Sequence, residues 1–311
     1  MSRRLDRDIP SEPTRDRDDG SDRDLPRGGR GAANNRPRER AVLDLQDVLV
    51  QQLDIPRTQT REHIYVGERD YKLRESEVRT LAVAGAFRVV DARDLKDGSR
   101  DCWHGDLARL REQKLIQAVG PLFRDGERAA GITLTKEGRA LLEHFQSVRD
   151  GQPRQAFYDG VGKPREILHD AQLYRAYEDA AKRLLESGAR IQRVVLDAEL
   201  KREYQRFLQA NNRGNSHSTG RPDRSVEEIA EWASAHGLPS DQGHVQFPDV
   251  RIEYERPDGS QAREDMELVT EHYNSLQMVG KRASGFKMSR GASSHGRGSP
   301  FDPRAAEGVL R

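Results

Sequence analysis

The sequence predicts an α+β chain of two tandem helix-and-strand units set between charged tails. Apolar spacing alternates between helical and strand periods over residues 60–148 and again over 165–288. Residues 1–42 and 289–311 hold few apolar anchors among many Arg, Asp, Gly, Ser and Pro, so both are expected to be disordered. Apolar and charged residues each make up 34% of the 311, and the mean hydropathy is −0.92, so a sizeable part of the chain has to be solvated.

Net charge is +1, so any basic face must be local. The single cysteine, Cys102, excludes an intramolecular disulfide and a cysteine zinc cluster. No run approaches the roughly 18 apolar residues of a membrane span, and the N-terminal residues lack the apolar core of a secretory signal. The expectation is a cytoplasmic protein without a membrane partner. Walker, GxGxxG and GxSxG patterns are missing from the sequence.

Residues 40–54 carry Val42, Leu43, Leu45, Val48, Leu49 and Leu53 at the spacing of a short amphipathic helix. It has to pack on the following unit or on a second copy, in a homodimer; residues 43–59 are this helix and a linker. The first unit, 60–150, opens with a helix over 75–90, its apolar face Val78, Leu81, Ala82 and Phe87. Asp91 is an N-cap candidate for a short turn over 91–95. A helix running into a strand follows over 103–119, then a hairpin over 122–135 turning at Asp125-Gly126, then a helix over 135–148 capped by Thr135. Helix, short helix, helix, strand, hairpin, helix is the order of a winged helix-turn-helix. Its third helix presents His104, Arg109, Arg111 and Lys114, and the wing adds Arg124 and Arg128. Arginine on a groove-entering helix suits bidentate contacts to guanine, whereas wing cations hold phosphates, so the expected partner is double-stranded DNA. Arg109 and Leu110 cannot both face the core, which favours an exposed Arg109.

The second unit, 165–288, starts with an amphipathic helix over 165–189 that aligns Leu168, Leu173, Ala176, Tyr177, Ala180 and Leu184. A strand over 190–200 and a helix over 201–212 follow; Lys201, Arg202 and Arg206 on that helix could lie along a nucleic-acid backbone. Residues 225–237 form a helix with Ser225 as N-cap, Glu228 completing a capping box and Gly237 as its stop. Strands around the turn at 256–261 place Asp249 and Glu267 about nine residues either side of its centre, as cross-strand neighbours. A helix over 271–283 and a strand over 284–288 complete a mixed sheet.

The sequence combines a winged helix, a His169-Asp170 pair at a helix start, Pro248-Asp249 entering a strand, and Glu267-Leu268 with Thr270 leaving the next. In this order, over roughly 70–288, it resembles the replication-relaxation family of bacterial plasmids and mobile elements. The second unit also resembles the restriction-endonuclease-like core with its PD-(D/E)xK signature. The resemblance implies Asp249 and Glu267 as catalytic carboxylates holding Mg²⁺ beside a phosphate, with a lysine to stabilise developing charge. The signature's lysine position holds Val269 instead, leaving Lys281 or Lys287 to reach back. A degenerate, non-cutting nuclease fold, a metal-dependent nicking endonuclease and a non-enzymatic transcriptional regulator all fit. Asp170 is either an N-terminal helix charge or a member of the acidic cluster. Cys102 beside Trp103 reads as a packing residue.

Overall fold

Strand and helix alternate along the chain in the computed structural model, which describes residues 47–95, 102–124, 127–147, 154–213, 222, 224–269 and 285–290. Residues 1–42 and 291–311, the helix expected over 271–283 and Lys281 lie outside the described residues, whereas Ser289 and Arg290, expected in the tail, are part of the last strand. The architecture is mixed α/β with several separate sheets. No helix among the described residues is long and apolar enough to cross a membrane.

The helix expected over 40–54 is described only as the turn α1 (Asp47–Val50), after which Leu53 bridges to Gln146. Val48, Leu49, Val50, Leu53 and Ile55 are all buried in the main core, so this segment packs on its own chain. Next comes a hairpin not anticipated from the sequence, β1 (Glu62–Val66) and β2 (Arg69–Leu73). Gly67, at φ +60°, supplies its two-residue turn, and Ile64, Tyr71 and Leu73 form its buried side.

α2 (Glu75–Ala86) is shorter than the expected 75–90. Its exit at Phe87 is followed by Arg88 in the left-handed region at φ 66°, and Val90–Asp91 then pairs as β3. Asp91 caps the 3-10 turn Ala92–Asp94, accepting from the Arg93 backbone N–H at 2.9 Å. α3 (Cys102–Glu112) leads into β4 (Ile116–Arg124), which pairs with β5 (Glu127–Leu134). The strand expected after α3 and the first arm of the hairpin are thus one strand, bent by an irregularity between Val119 and Leu122. β3, β5 and β4 make a three-stranded antiparallel sheet in that order. α4 (Lys136–His144) is capped by Thr135, whose hydroxyl accepts from Gly138 N–H at 3.1 Å. Gly138 has to be glycine: a Cβ there would stand 2.1 Å from the Leu115 carbonyl oxygen.

The second unit begins with α5 (Ile167–Glu186). Its aligned apolar residues are buried apart from Leu168, which stands on the outside at 46% exposure. β6 (Arg190–Leu196) stops earlier than expected, because α6 (Asp197–Leu208) starts at Asp197. α7 (Val226–Ala235) carries the expected capping box, with Ser225 and Glu228 each accepting from the other's backbone N–H. A small hairpin follows, β7 (Ser240–Asp241) and β8 (His244–Val245), then β9 (Val250–Glu255), β10 (Gln261–Val269) and β11 (Lys287–Arg290). The sheet order is β11-β10-β9-β6, parallel between β10 and β11 and antiparallel elsewhere. Val194, Leu196, Val250, Ile252, Met266 and Leu268 join the core shared with α5, while Val195 packs with Leu200, Ala233 and Leu238 under α6 and α7.

The two units share one apolar core. The Phe87 ring lies 5.2 Å from Tyr174 and 5.0 Å from Tyr177, and Arg175 on α5 bonds Asp91 and Asp94 at 3.1 and 2.7 Å. Between the units, buried Gln155 turns its amide to the open edge of β6. It donates to the Val194 carbonyl and accepts from the Val194 N–H, both at 2.9 Å, as a further strand would.

Candidate nucleic-acid interface and acidic centre

α3 owes its placement to one buried acid. Asp106, 2% exposed, lies one turn before buried Leu110 and so shares its inward face. Its carboxylate accepts from Arg61 at 3.0 Å, from Arg74 at 3.0 and 2.6 Å, and from Ser76 Oγ at 2.6 Å. Arg61 also bonds the fully buried Glu77. A charge so buried needs several such partners, and these come from the start of β1 and the N-terminal end of α2. Asp106 was not singled out from the sequence, although an acid on the apolar stripe of a helix is a readable signal.

With that face pinned, both flanks of α3 turn outward. Arg109, Arg111 and Lys114 are exposed, as is Arg128 on β5, and none of the four is in an ion pair with another described residue. Lys114 adopts φ 59°, in the exit turn where Leu115 N–H reaches back to the Leu110 carbonyl at 2.9 Å. Glycine is the favoured residue in that conformation. The Arg124, His104 and Cys102 side chains lie outside the described residues.

The second candidate lies at the end of the main sheet. Asp249 sits one step beyond the last β9–β10 ladder pair, Val250–Met266, so the register continues to Glu267 opposite it. Its carboxylate accepts from the Leu268 N–H at 2.8 Å and stands 3.4 Å from His169 Nε2. The other ring nitrogen of His169 stands 3.4 Å from Asp170, which is 5% exposed and lies 3.5 Å from Arg88. Burial opposes a charge on His169, but the hydrogen bonds and negative charges of Asp170 and Asp249 outweigh it and push the imidazole up to about 10. The result is one chain of contacts, from Arg88 at the end of α2 through Asp170, His169 and Asp249 to the backbone of β10. Arg88 could not be found from the sequence, because its partner lies 82 positions away in the chain.

Glu267 is 1% exposed. Met266 and Leu268 point into the core under α5, so strand alternation sends Glu267 to the α7 side, where Arg251 bonds Asp265 at 2.6 and 2.9 Å. Lys287 does not join Asp249: its ammonium bonds Glu264 at 2.5 Å, and Arg183 bonds the same carboxylate at 2.8 Å. Among the described residues, no three His, Cys, Asp or Glu side chains gather as a metal site. A cation at Asp249 would have to compete with His169. No family model, curated protein or solved structure matches this chain.

Proposed function

We propose that the chain is a DNA-binding protein of a plasmid or mobile element, in which the first unit engages duplex DNA as a winged helix. The second unit is then an endonuclease-like fold that serves for docking. The observation that carries this reading is the outward face of α3 and the β4–β5 hairpin. Its four cations, Arg109, Arg111, Lys114 and Arg128, are exposed and free of ion pairs with described residues, and the first two lie on a helix whose inner face is fixed by Asp106. Cations held ready on a rigid element suit phosphates and base edges. The docking role for the second unit rests on its partners: Asp249 faces His169 and the Leu268 N–H, Lys287 is held by Glu264, and Val269 stands at the lysine position.

Binding of the full chain to duplex DNA tests this. Arg109→Ala or Arg111→Ala is expected to weaken specific binding by about 1–3 kcal/mol, and Arg128→Ala to lower the salt slope by about 0.9. Unchanged binding in all three variants removes the winged helix as the reader.

A second reading, metal-dependent nicking, is favoured by the register that sets Asp249 opposite Glu267. Plasmid cleavage with Mg²⁺ or Mn²⁺, abolished by Asp249→Ala, is its test; intact plasmid under both metals rejects it.

A further inference from the structure

The β1–β2 hairpin, which the duplex reading does not use, is fastened to α3 at both of its ends and along one edge. Arg61 directly precedes β1 and Arg74 directly follows β2, and both donate to Asp106 on the inner face of α3. The outer edge of β2 is held from the exit of α3. There the Gln113 amide accepts from the Lys72 N–H at 2.8 Å and donates to the Lys72 carbonyl at 3.2 Å, as a further strand would. Hairpin and helix thereby present one continuous surface.

Lys72 brings an uncommitted cation to that surface. The register pairs it with His63, on the side of the hairpin away from buried Ile64, Tyr71 and Leu73. On this outer side His63 and Asp70 hold each other at 2.9 Å, whereas Lys72 is exposed and in no ion pair with a described residue. Gln113 follows Arg109 by one turn, its N–H donating to the Arg109 carbonyl at 2.9 Å. The Lys72 main chain therefore meets α3 on the flank that carries Arg109. Exposed Glu112, adjacent to Gln113, is outnumbered there by Lys72, Arg109 and Lys114.

We infer that the β1–β2 hairpin is a second wing, whose Lys72 ammonium holds a backbone phosphate of the duplex beside the groove that Arg109 enters. A helix lodged in a major groove leaves the elements on its flanks at the phosphates bordering that groove. A lysine there acts as a point charge indifferent to base sequence. The inference rests on the duplex reading and adds to it a contact from outside α3 and the β4–β5 hairpin.

Binding of the full chain to a pair of duplexes of unrelated sequence, measured across a range of salt, tests this. Lys72→Ala is expected to lower the salt slope by about 0.9, which weakens binding about eightfold at 0.1 M salt, equally for both duplexes. Lys182→Ala, which removes an exposed lysine of α5 that is in no ion pair with a described residue, is expected to leave the slope unchanged. A chain that binds neither duplex removes the duplex reading and this inference with it. Binding that weakens in Arg109→Ala or Arg111→Ala but keeps its slope in Lys72→Ala overturns the inference alone, as does an equal slope loss in Lys182→Ala. A loss in Lys72→Ala confined to one duplex overturns it too, because a phosphate contact is blind to sequence. So does a loss there with both α3 variants silent, since the hairpin would then meet DNA apart from α3.

Discussion

The outward face of α3 and the centre of the main sheet are both rich in charge, and they use it in opposite ways. On α3 and β5, Arg109, Arg111, Lys114 and Arg128 face solvent without described ion-pair partners. Around the sheet nearly every charge is held from within: Arg251 by Asp265 and two backbone carbonyls, Glu264 by Arg183 and Lys287, Asp170 and Asp249 by His169. Charge satisfied inside the fold contributes to its geometry, whereas charge left in water remains available to a ligand. The contrast teaches that a motif's acids are not evidence of catalysis until their partners are known.

That comparison breaks most visibly at its anchors. Asp106→Ala is expected to cost about 3–5 kcal/mol, because it strips the shared acceptor from Arg61, Arg74 and Ser76. Denaturant melts check this, and a loss under 1 kcal/mol means the network is not what positions α3. Arg251→Met is expected to lose a similar amount, because it strips Asp265 and the Gly237 carbonyl of the Arg251 donor and leaves the His236 carbonyl to Arg263 alone. By contrast, Arg109→Ala and Arg111→Ala should stay within about 0.5 kcal/mol of wild type in the same melts, even as they weaken duplex binding.

Smaller effects sharpen the contrast. Burial pushes the Glu178 carboxyl on α5 up to about 7 from the ordinary 4.5, with Asp94 and Asp179 adding to it and a hydrogen bond from Tyr174 opposing it. A folded-state value above the unfolded one means the native protein holds this proton more tightly. Stability is therefore expected to fall as pH rises through about 4.5 to 7, and Glu178→Gln should remove that loss and raise stability at pH 8 by about 1–3 kcal/mol. Melts across this range decide it; identical pH profiles for the two proteins would mean the carboxyl is well solvated. The smallest effect is at Lys114, where Lys114→Gly should relieve the left-handed backbone by about 1 kcal/mol while lowering the salt slope of duplex binding. Stabilisation with unchanged DNA binding would remove Lys114 from the interface.

Local signals proved legible. The Thr135 cap, the Ser225–Glu228 capping box, the Asp91 cap and the outward Arg109 beside buried Leu110 each depend on neighbours a few residues away. The β9–β10 register was readable for the same reason, since the turn at 256–261 fixes which residues face each other. The β1–β2 hairpin was readable too, from alternating Ile64, Tyr71 and Leu73 around Gly67, but it was not recognised.

What the sequence determined by itself, then, was the succession of elements and the faces of single helices and hairpins, because periodicity, caps and turns act over a few residues. Only the tertiary structure decided which charges meet. Arg88 reaches Asp170, Lys287 goes to Glu264, Asp106 gathers two arginines, and Gln155 closes the edge of β6. Each pairing brings together residues far apart in the chain, and side-chain charges carry no periodicity that announces a distant partner. Their choice follows from how the two units pack through Phe87, Tyr174 and Tyr177 into one core.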